Sequence, residues 1–204
     1  SLGGKARGLA FANTYINDSK LKKKYSEINI RVPKVAVVGT NEFDKFMEVN
    51  SLWEIALNAK NNKIIENYFL KGRLSRKLVQ TLKEFIKDIN YPLAIRSSSL
   101  LEDSQYQPLA GMYSTFMLPN FSKNNKERLS QICEAIKRIY ASTFFQEPKT
   151  LMNTIVHRHE EEKMGVIIME MIGQKYEQYF YPTFSGVAQS YNYYPLSYMK
   201  REEG

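Results

Sequence analysis

A short stretch in the middle of the chain combines residue types that bind phosphate groups. The run from Leu93 to Arg96 is apolar until its final arginine, three hydroxyl groups follow at Ser97 to Ser99, and Gly111 lies in the next polar segment. Arginine supplies a planar set of donors that stays charged, serine supplies short donors, and glycine lets backbone amides approach an anion closely. The stretch therefore predicts either a phosphate site or a β-hairpin whose serines cap turns.

A lysine near the start of the chain offers a second cation. Lys5 follows Gly3 and Gly4 and falls in the first turn of a predicted helix. A lysine there opposes the helix dipole, and a bound anion would satisfy both its charge and the exposed amides of the helix start. An ordinary surface lysine behind a flexible start is the other interpretation.

The remaining pattern predicts the elements that must position these groups. Apolar runs predict strands at 35–38, 93–96, 113–118 and 164–172, with a turn at 173–177 and a returning strand at 179–188. Helical periodicity predicts a helix capped by Thr40, a helical region over 52–89 broken at Gly72, and helices at 129–140 and 150–157. In the first helix, a buried stripe is predicted at Leu9, Ala10, Ala12 and Ile16.

Composition narrows the class of protein. The chain has 204 residues, 43% of them hydrophobic and 25% charged, with a formal net charge of +8. These values are typical of a soluble globular protein, and no apolar run is long enough for a membrane span. The positive charge is spread along the chain, which favours solvated helix surface over a nucleic-acid site. We therefore expect a cytoplasmic protein with no nucleic-acid or membrane partner.

Three other groups invite a chemical role. His157 and His159 precede Glu160 to Glu162, but residues two apart on a helix do not face each other, so a solvated turn is favoured over a metal site. Cys133 occupies an apolar position of a helix, which indicates a buried structural thiol. Glu170 stands inside an apolar strand, where its charge requires a partner or a function.

Taken together, the motifs resemble the N-terminal nucleotide-binding region of the phosphoenolpyruvate synthase and pyruvate phosphate dikinase family. The matching motifs, in order along the chain, are Gly3-Gly4-Lys5 with Leu9, Val32-Pro33, Ile95-Arg96-Ser97-Ser98 with Glu102-Asp103, Ala110-Gly111 with Thr115-Phe116, Ala135 to Arg138 with Ala141-Ser142, and Ser185 to Ala188. Their order and spacing across nearly the whole chain carry the resemblance.

The resemblance implies an α+β, ATP-grasp-like fold in which ATP lies between two lobes. It implies that ATP donates its β-phosphoryl group to a histidine on a separate domain, and that a pyruvate-binding domain then yields phosphoenolpyruvate. Lys5 and Arg96 resemble the catalytic residues that contact the ATP phosphates, and Ser97 is a further cofactor-binding candidate. The segment Gly111, Met112, Tyr113, Ser114 and Thr115 resembles the family loop whose backbone amides cover the phosphates. The segment Glu170, Met171 and Ile172 resembles the family strand that presents backbone groups and an apolar surface to adenine.

The chain also departs from the family pattern. Ser114 stands where the family loop commonly has aspartate, and the segment after Ala188 differs from the usual continuation. The family's Mg²⁺ ligands come later than this chain extends, so we expect no metal ligand here. We interpret the chain as the incomplete N-terminal part of an ATP-grasp domain, with a first lobe at 1–160 and the start of a second at 161–204. We expect it to be inactive alone. A related dikinase, including a glucan or antibiotic phosphotransferase, and a degenerate nucleotide sensor are the alternatives.

Overall fold

The computed structural model describes residues 1–18, 20–99, 111–152, 163–188, 190–192 and 195–203. The chain divides into two compact units, Ser1–Met171 and Ile172–Gly204. The first unit is a mixed α/β structure with an antiparallel sheet, and the second contains a short hairpin. The lobe boundary expected at 160/161 falls in a segment outside the described residues and stays a prediction.

The sheet of the first unit has four strands in the order β1-β4-β2-β3, and every neighbouring pair is antiparallel. The strands are β1 (Val35–Val38), β2 (Leu93–Ser99), β3 (Thr115–Leu118) and β4 (Met164–Glu170). The prediction of β1 is confirmed residue for residue. Strand β2 continues three residues past its predicted end at Arg96, because its serines pair with Val166, Gly165 and Met164 of β4.

Helices lie before β1 and in the connections from β1 to β2 and from β3 to β4. They are α1 (Gly4–Asp18), α2 (Leu21–Lys24), α3 (Thr40–Val49), α4 (Trp53–Asn58), α5 (Asn62–Lys71), α6 (Arg76–Phe85), α7 (Asn125–Ser142) and α8 (Gln146–Met152). Side chains cap three of the helix starts: Asn61 accepts from the Lys63 amide, Ser75 from Leu78 and Asn124 from Lys126. These caps satisfy amides that have no partner within the helix, and they fix where α5, α6 and α7 begin.

An aromatic cluster forms the centre of the core. The ring of Phe43 on α3 lies edge-on to Tyr140 of α7, with centroids 5.1 Å apart, and it stacks on Phe144 at 6.2 Å. Phe46 and Phe69 complete the contacts between α3, α5 and α7. Phe69, an aromatic residue of the predicted helical region 52–89, is fully buried.

The two faces of the sheet have different surroundings. Strand residues alternate between faces, and Leu93 and Ile95 of β2 belong to the buried cluster formed with the helices. The register then assigns the opposite set of residues to the other face, which we call the α1 face. It consists of Val35, Val37, Ala94, Arg96, Ser98, Thr115, Met117, Gly165, Ile167 and Met169.

Several local predictions were wrong in detail. Gly39, rather than Thr40, is the N-cap of α3, and Thr40 is a buried first helical residue. The helical region 52–89 breaks after Asn58 as well as at Gly72. The strand predicted at 113–118 begins only at Thr115, and residues 113 and 114 belong to the loop that precedes it. The helix predicted at 150–157 is confirmed for residues 150–152, which belong to α8, and its remaining residues lie outside the described part of the chain.

The predicted stripe of α1 is also wrong in part. Ala10 is exposed, while Ala6 is the buried residue of this helix. The other members of the stripe are half-buried: Leu9, Ala12 and Ile16. Phe11 and Tyr15 stack on each other with their rings 6.2 Å apart, and both remain exposed. The helix therefore contacts the sheet chiefly through its first turns.

The second unit contains a hairpin formed by β5 (Gln174–Tyr176) and β6 (Tyr179–Tyr181). The predicted turn at 173–177 thus contains a strand, and the returning strand ends at Tyr181 rather than at 188. The rings of Tyr176 and Tyr181 stack with centroids 4.4 Å apart. Such stacked cross-strand aromatic pairs stabilise a short hairpin that has little core of its own.

Candidate functional site

Arg96 lies in the middle of the α1 face. Its register partners are Thr115 on β3 and Ile167 on β4, so a hydroxyl and an apolar side chain flank it on this face. The residue is half-buried. Among the residues that the structure describes, none makes a hydrogen bond or ion pair with the Arg96 side chain. A guanidinium of this kind can donate several hydrogen bonds to an anionic ligand.

Lys5 belongs to the first turn of α1, which is packed tightly against the same face. Gly3 adopts φ 76°, and a Cβ atom there would lie 1.7 Å from the carbonyl oxygen of Ser98. A Cβ atom on Gly165 would lie 3.0 Å from the same oxygen and 3.1 Å from the Leu2 carbonyl. Glycine at both positions lets the chain start cross the sheet closely, and this crossing places the helix start beside strand β2.

The loop from Gly111 to Ser114 enters β3 next to Arg96. Gly111 has φ 78°, which favours glycine. Tyr113 is buried in the core, and the Ser114 amide donates to Ser142 Oγ over 3.2 Å. The Ser142 hydroxyl in turn donates to the Ile139 carbonyl over 2.7 Å. The loop is thus anchored at its C-terminal end, and the Ser114 amide, one of those predicted to cover phosphates, is directed to Ser142.

Ser97 lies on the other side of strand β2. It follows Arg96 directly, so its side chain belongs to the face that packs on the helices, and only 2% of the residue is exposed. The structure therefore does not bring the Ser97 hydroxyl together with the Arg96 guanidinium.

Glu170 ends β4 in an ion pair. Both of its carboxylate oxygens accept from Arg31, over 2.7 and 3.1 Å, and one also accepts from the Lys34 amide over 3.0 Å. The hydrogen bonds and charge of Arg31 lower the pKa of the Glu170 carboxyl below its ordinary value, against the opposing effect of burial. The expectation that Glu170 needs a partner is thereby confirmed, and Arg31 is that partner.

The predicted adenine-facing segment divides between the two units. Glu170 and Met171 end the first unit, and Ile172 begins the second, where it is half exposed. The Met171 amide donates to the Pro92 carbonyl over 2.9 Å. The Glu170 amide donates to Lys34 over the same distance. These two amides therefore fix the end of β4 to both of its neighbours in the sheet.

A groove of about 460 Å³ runs between α1 and β1. It is lined by Leu2, Ala6, Leu9, Ala10, Asn13, Val32, Pro33, Lys34, Val35 and Val37. The groove shares the α1 face with Arg96, but none of the predicted site residues lines it. Its walls are mainly aliphatic, with the Asn13 amide and the Lys34 ammonium as polar groups.

The other groups considered from sequence have no described role in a site. His157, His159, Glu102 and Asp103 lie outside the described residues, as do Ala110 and Glu160 to Glu162. In the part of the chain that is described, no three His, Cys, Asp or Glu side chains are placed to hold a metal ion, and no helix is long and apolar enough to span a membrane. Burial raises the pKa of the Cys133 thiol, which disfavours the thiolate a nucleophile requires.

Sequence reasoning missed three residues that hold the candidate site in place: Ser98, Ser142 and Arg31. Ser98 and Ser142 belong to the family motifs, but a motif does not indicate which groups its side chains contact. Arg31 carried no signal of its own, since it precedes Val32-Pro33 in an extended segment, 139 residues from Glu170. The need for a cation beside Glu170 was the available clue.

The chain is similar to a family model and to a curated relative. A family model described as "Pyruvate phosphate dikinase, AMP/ATP-binding domain" matches residues 1–203. A curated relative from Bacillus subtilis (strain 168), named "Uncharacterized phosphotransferase YvkC", is 26% identical over 182 residues. That alignment covers 88% of this chain and 19% of the relative. The chain therefore spans about a fifth of the length of this relative.

Proposed function

Because the chain belongs to the family described as the AMP/ATP-binding domain of pyruvate phosphate dikinase, we propose that its α1 face binds the phosphates of ATP. In this proposal Arg96 and Lys5 supply the charge, and the loop from Gly111 to Thr115 supplies further donors other than the Ser114 amide, which donates to Ser142. Phosphoryl transfer depends mainly on positioning and on cationic stabilisation of the phosphate oxygens. The residue types on this face match that requirement.

The environment of Arg96 is the observation that carries the proposal. Its guanidinium is half-buried, and no described residue makes a hydrogen bond or ion pair with it. Two other cations in the described part of the chain that are shielded from solvent have partners: the buried Arg128 donates to backbone and amide oxygens, and the half-buried Lys149 donates to the Ala59 carbonyl. Burying a charge without a partner is costly, so a bound anionic ligand would explain why Arg96 is half-buried without a described partner.

The reaction of the whole protein extends this proposal. We propose that the ATP-binding region supports phosphorylation of a histidine on a separate domain, in which the β-phosphoryl group of ATP moves to a ring nitrogen. A pyruvate-binding domain then accepts the group to form phosphoenolpyruvate. Mg²⁺ ligands would lie beyond this chain, and the setting would be cytoplasmic. The ATP-grasp architecture belongs to the same proposal.

Two related functions use the same site. A glucan or an antibiotic as phosphoryl acceptor is equally compatible, because the proposed site accounts for ATP binding and assigns no residue to the acceptor. A module that senses ATP without transferring phosphate is favoured by one observation. Ser114 replaces the aspartate that is common in the family loop, and its amide is held by Ser142. The downstream sequence separates these functions, since the enzyme needs a glutamate- and glutamine-containing metal motif and a histidine domain.

The affinity for ATP tests the proposed site. We expect Arg96→Ala and Lys5→Ala each to weaken ATP binding by about tenfold to a hundredfold, which corresponds to losing a charge-assisted contact of about 1.5–3 kcal/mol. Arg7→Ala is the matched control, because Arg7 is an exposed cation on the same helix. Isothermal titration of the intact protein that contains this chain measures the effect. Equal affinities for all four proteins would refute the assignment.

The isolated 204-residue chain provides a second test. We expect it to consume no more ATP than a Lys5→Ala/Arg96→Ala double variant of the same chain. Consumption well above that control would show that the site is catalytically complete within these residues. Binding to DNA or RNA that weakens steeply with salt would instead support a nucleic-acid function, which we do not expect.

A further inference from the structure

The hydroxyl group of Ser98 links strand β2 to the start of α1. Ser98 Oγ accepts a hydrogen bond from the Ala6 amide over 3.1 Å and donates one to the Leu2 carbonyl over 3.0 Å. The residue is completely buried. One side chain therefore holds both the segment that enters the helix and the first turn of the helix itself.

This contact replaces a local helix cap. The first amides of a helix have no partner within the helix, and a side chain just before it usually accepts from one of them. Gly3 precedes α1 and has no side chain, and a Cβ atom there would collide with the Ser98 carbonyl. Ser98, which is 92 residues away in sequence from Ala6, supplies the acceptor instead. The start of α1 is therefore fixed by the sheet.

The two elements that carry the cations of the proposed phosphate site meet at this contact. Ser98 lies two residues beyond Arg96 on the same face of β2, which is about 7 Å along the strand. Lys5 immediately precedes Ala6, whose amide Ser98 binds. The Ser98 hydroxyl is thus the hydrogen-bonded link between the strand that carries Arg96 and the helical turn that carries Lys5.

We propose that Ser98 is a positioning residue for ATP binding, which acts by holding Lys5 at a fixed distance from Arg96. This inference rests on the proposed function. Ser98 is completely buried, and its hydroxyl group already accepts one hydrogen bond from Ala6 and donates one to Leu2. It therefore acts through the helix start and not by touching the nucleotide. A site that binds several phosphate oxygens depends on such fixed spacing, because each contact must be made without rearrangement.

A double-mutant cycle on the intact protein that contains this chain tests the inference. We expect Ser98→Ala to weaken ATP binding by about tenfold, the effect of a lost buried hydrogen bond and a less ordered contact. In a Lys5→Ala background we expect the same substitution to cost less than about threefold, since the group that Ser98 positions is already absent. Adenosine, which lacks phosphates, should bind equally to the wild type and to Ser98→Ala.

Ser99→Ala is the matched control. Ser99 is equally buried on the same strand, but its side chain belongs to the opposite face. We expect this variant to bind ATP within about twofold of the wild type. Urea denaturation of both variants establishes that the comparison is made between folded proteins. If Ser98→Ala proves too unstable, Ser98→Cys retains the side-chain shape with a weaker hydrogen-bonding group and should give a smaller loss in the same direction.

Each result distinguishes this inference from the proposed function. Wild-type protein that does not bind ATP would refute the proposed function. Loss of binding in Lys5→Ala and Arg96→Ala, with normal binding in Ser98→Ala, would refute only the positioning role. An equal loss from Ser98→Ala with and without Lys5, or an equal loss for adenosine, would assign Ser98 a general structural role and also overturn the inference.

Discussion

Replacing Arg128 by methionine is expected to destabilise the protein more than removing any single surface ion pair. Arg128 is 7% exposed and has no carboxylate among its hydrogen-bond partners in the described part of the chain. Its guanidinium donates to Asn120 Oδ1 over 2.8 Å, to Asn125 Oδ1 over 3.0 Å and to the Ile86 carbonyl over 2.9 Å. It also donates to the Ile89 carbonyl. The side chain thus joins α7 to the segments before β2 and after β3.

The magnitude follows from these partners. A hydrogen bond from a charged donor contributes about 1.5–3 kcal/mol, and a buried acceptor left without a donor costs about 1–3 kcal/mol. Methionine retains the apolar stem of Arg128, so little packing is lost. It leaves two buried carbonyls and the Asn120 side chain without their donor. Because such contributions do not add fully, we expect a loss of about 3–5 kcal/mol in the free energy of unfolding.

Arg138→Met is the matched control on the same helix. Arg138 pairs with Glu134 and Glu66, and 31% of its side chain is exposed. Surface ion pairs of this kind contribute about 0.2–1 kcal/mol. Urea denaturation can be followed by the fluorescence of Trp53, the single tryptophan, whose ring packs edge-on against Phe43. We expect the midpoint to fall by about 1–2 M for Arg128→Met. A loss in Arg138→Met as large as that in Arg128→Met would refute the reasoning.

Three further substitutions test separate contacts. Arg31→Met should cost up to about 1 kcal/mol at pH 7, because the pair with Glu170 is partly exposed. The pKa of Glu170 is lowered in the folded protein, so the ion pair stabilises the fold fully at pH values above the ordinary glutamate pKa of 4.5. The stabilisation is lost as the pH falls through the pKa of Glu170 in the folded protein. Urea titrations between pH 3 and pH 7 would detect this loss. Ser142→Ala should free the Ser114 amide and accelerate its hydrogen exchange, with no change at β1. Tyr140→Phe should leave the unfolding free energy unchanged or raise it by up to about 1 kcal/mol, since no described group hydrogen-bonds the buried Tyr140 hydroxyl. A loss above about 1 kcal/mol would instead indicate a hydrogen-bond partner for this hydroxyl.

The strands were predictable where burial is continuous. β1 is a run of aliphatic residues between a proline and a glycine, and the structure has the same four residues. The prediction for β2 stopped at Arg96, because a charged residue followed by three serines is typical of a loop. The strand continues because β4 pairs with those serines and because the start of α1 packs on Ser98. Pairing partners 60 to 70 residues away decide this boundary, and local propensity contains no information about them.

Residue type and motif order predict Lys5 and Arg96 as the cations of the candidate site, and this role stays a prediction. The contacts that position the elements around them could not be predicted, because they come from side chains distant in sequence: Ser98 reaches α1, and Ser142 reaches the loop before β3. A buried serine on a strand looks the same in sequence whether it hydrogen-bonds its neighbour or a remote helix. Such positioning contacts become visible only in the folded chain.

The period of strand β2 explains why core and candidate site occupy opposite faces. Leu93 and Ile95 must face the helices, because they are the apolar residues of the strand that complete the buried cluster. A period of two then directs Arg96 and Ser98 to the other face, whatever their function. A helix packed fully across that face would bury Arg96 without a counter-charge. α1 contacts the sheet chiefly at its start, through Gly3 and Ala6, and Arg96 is half-buried rather than fully buried.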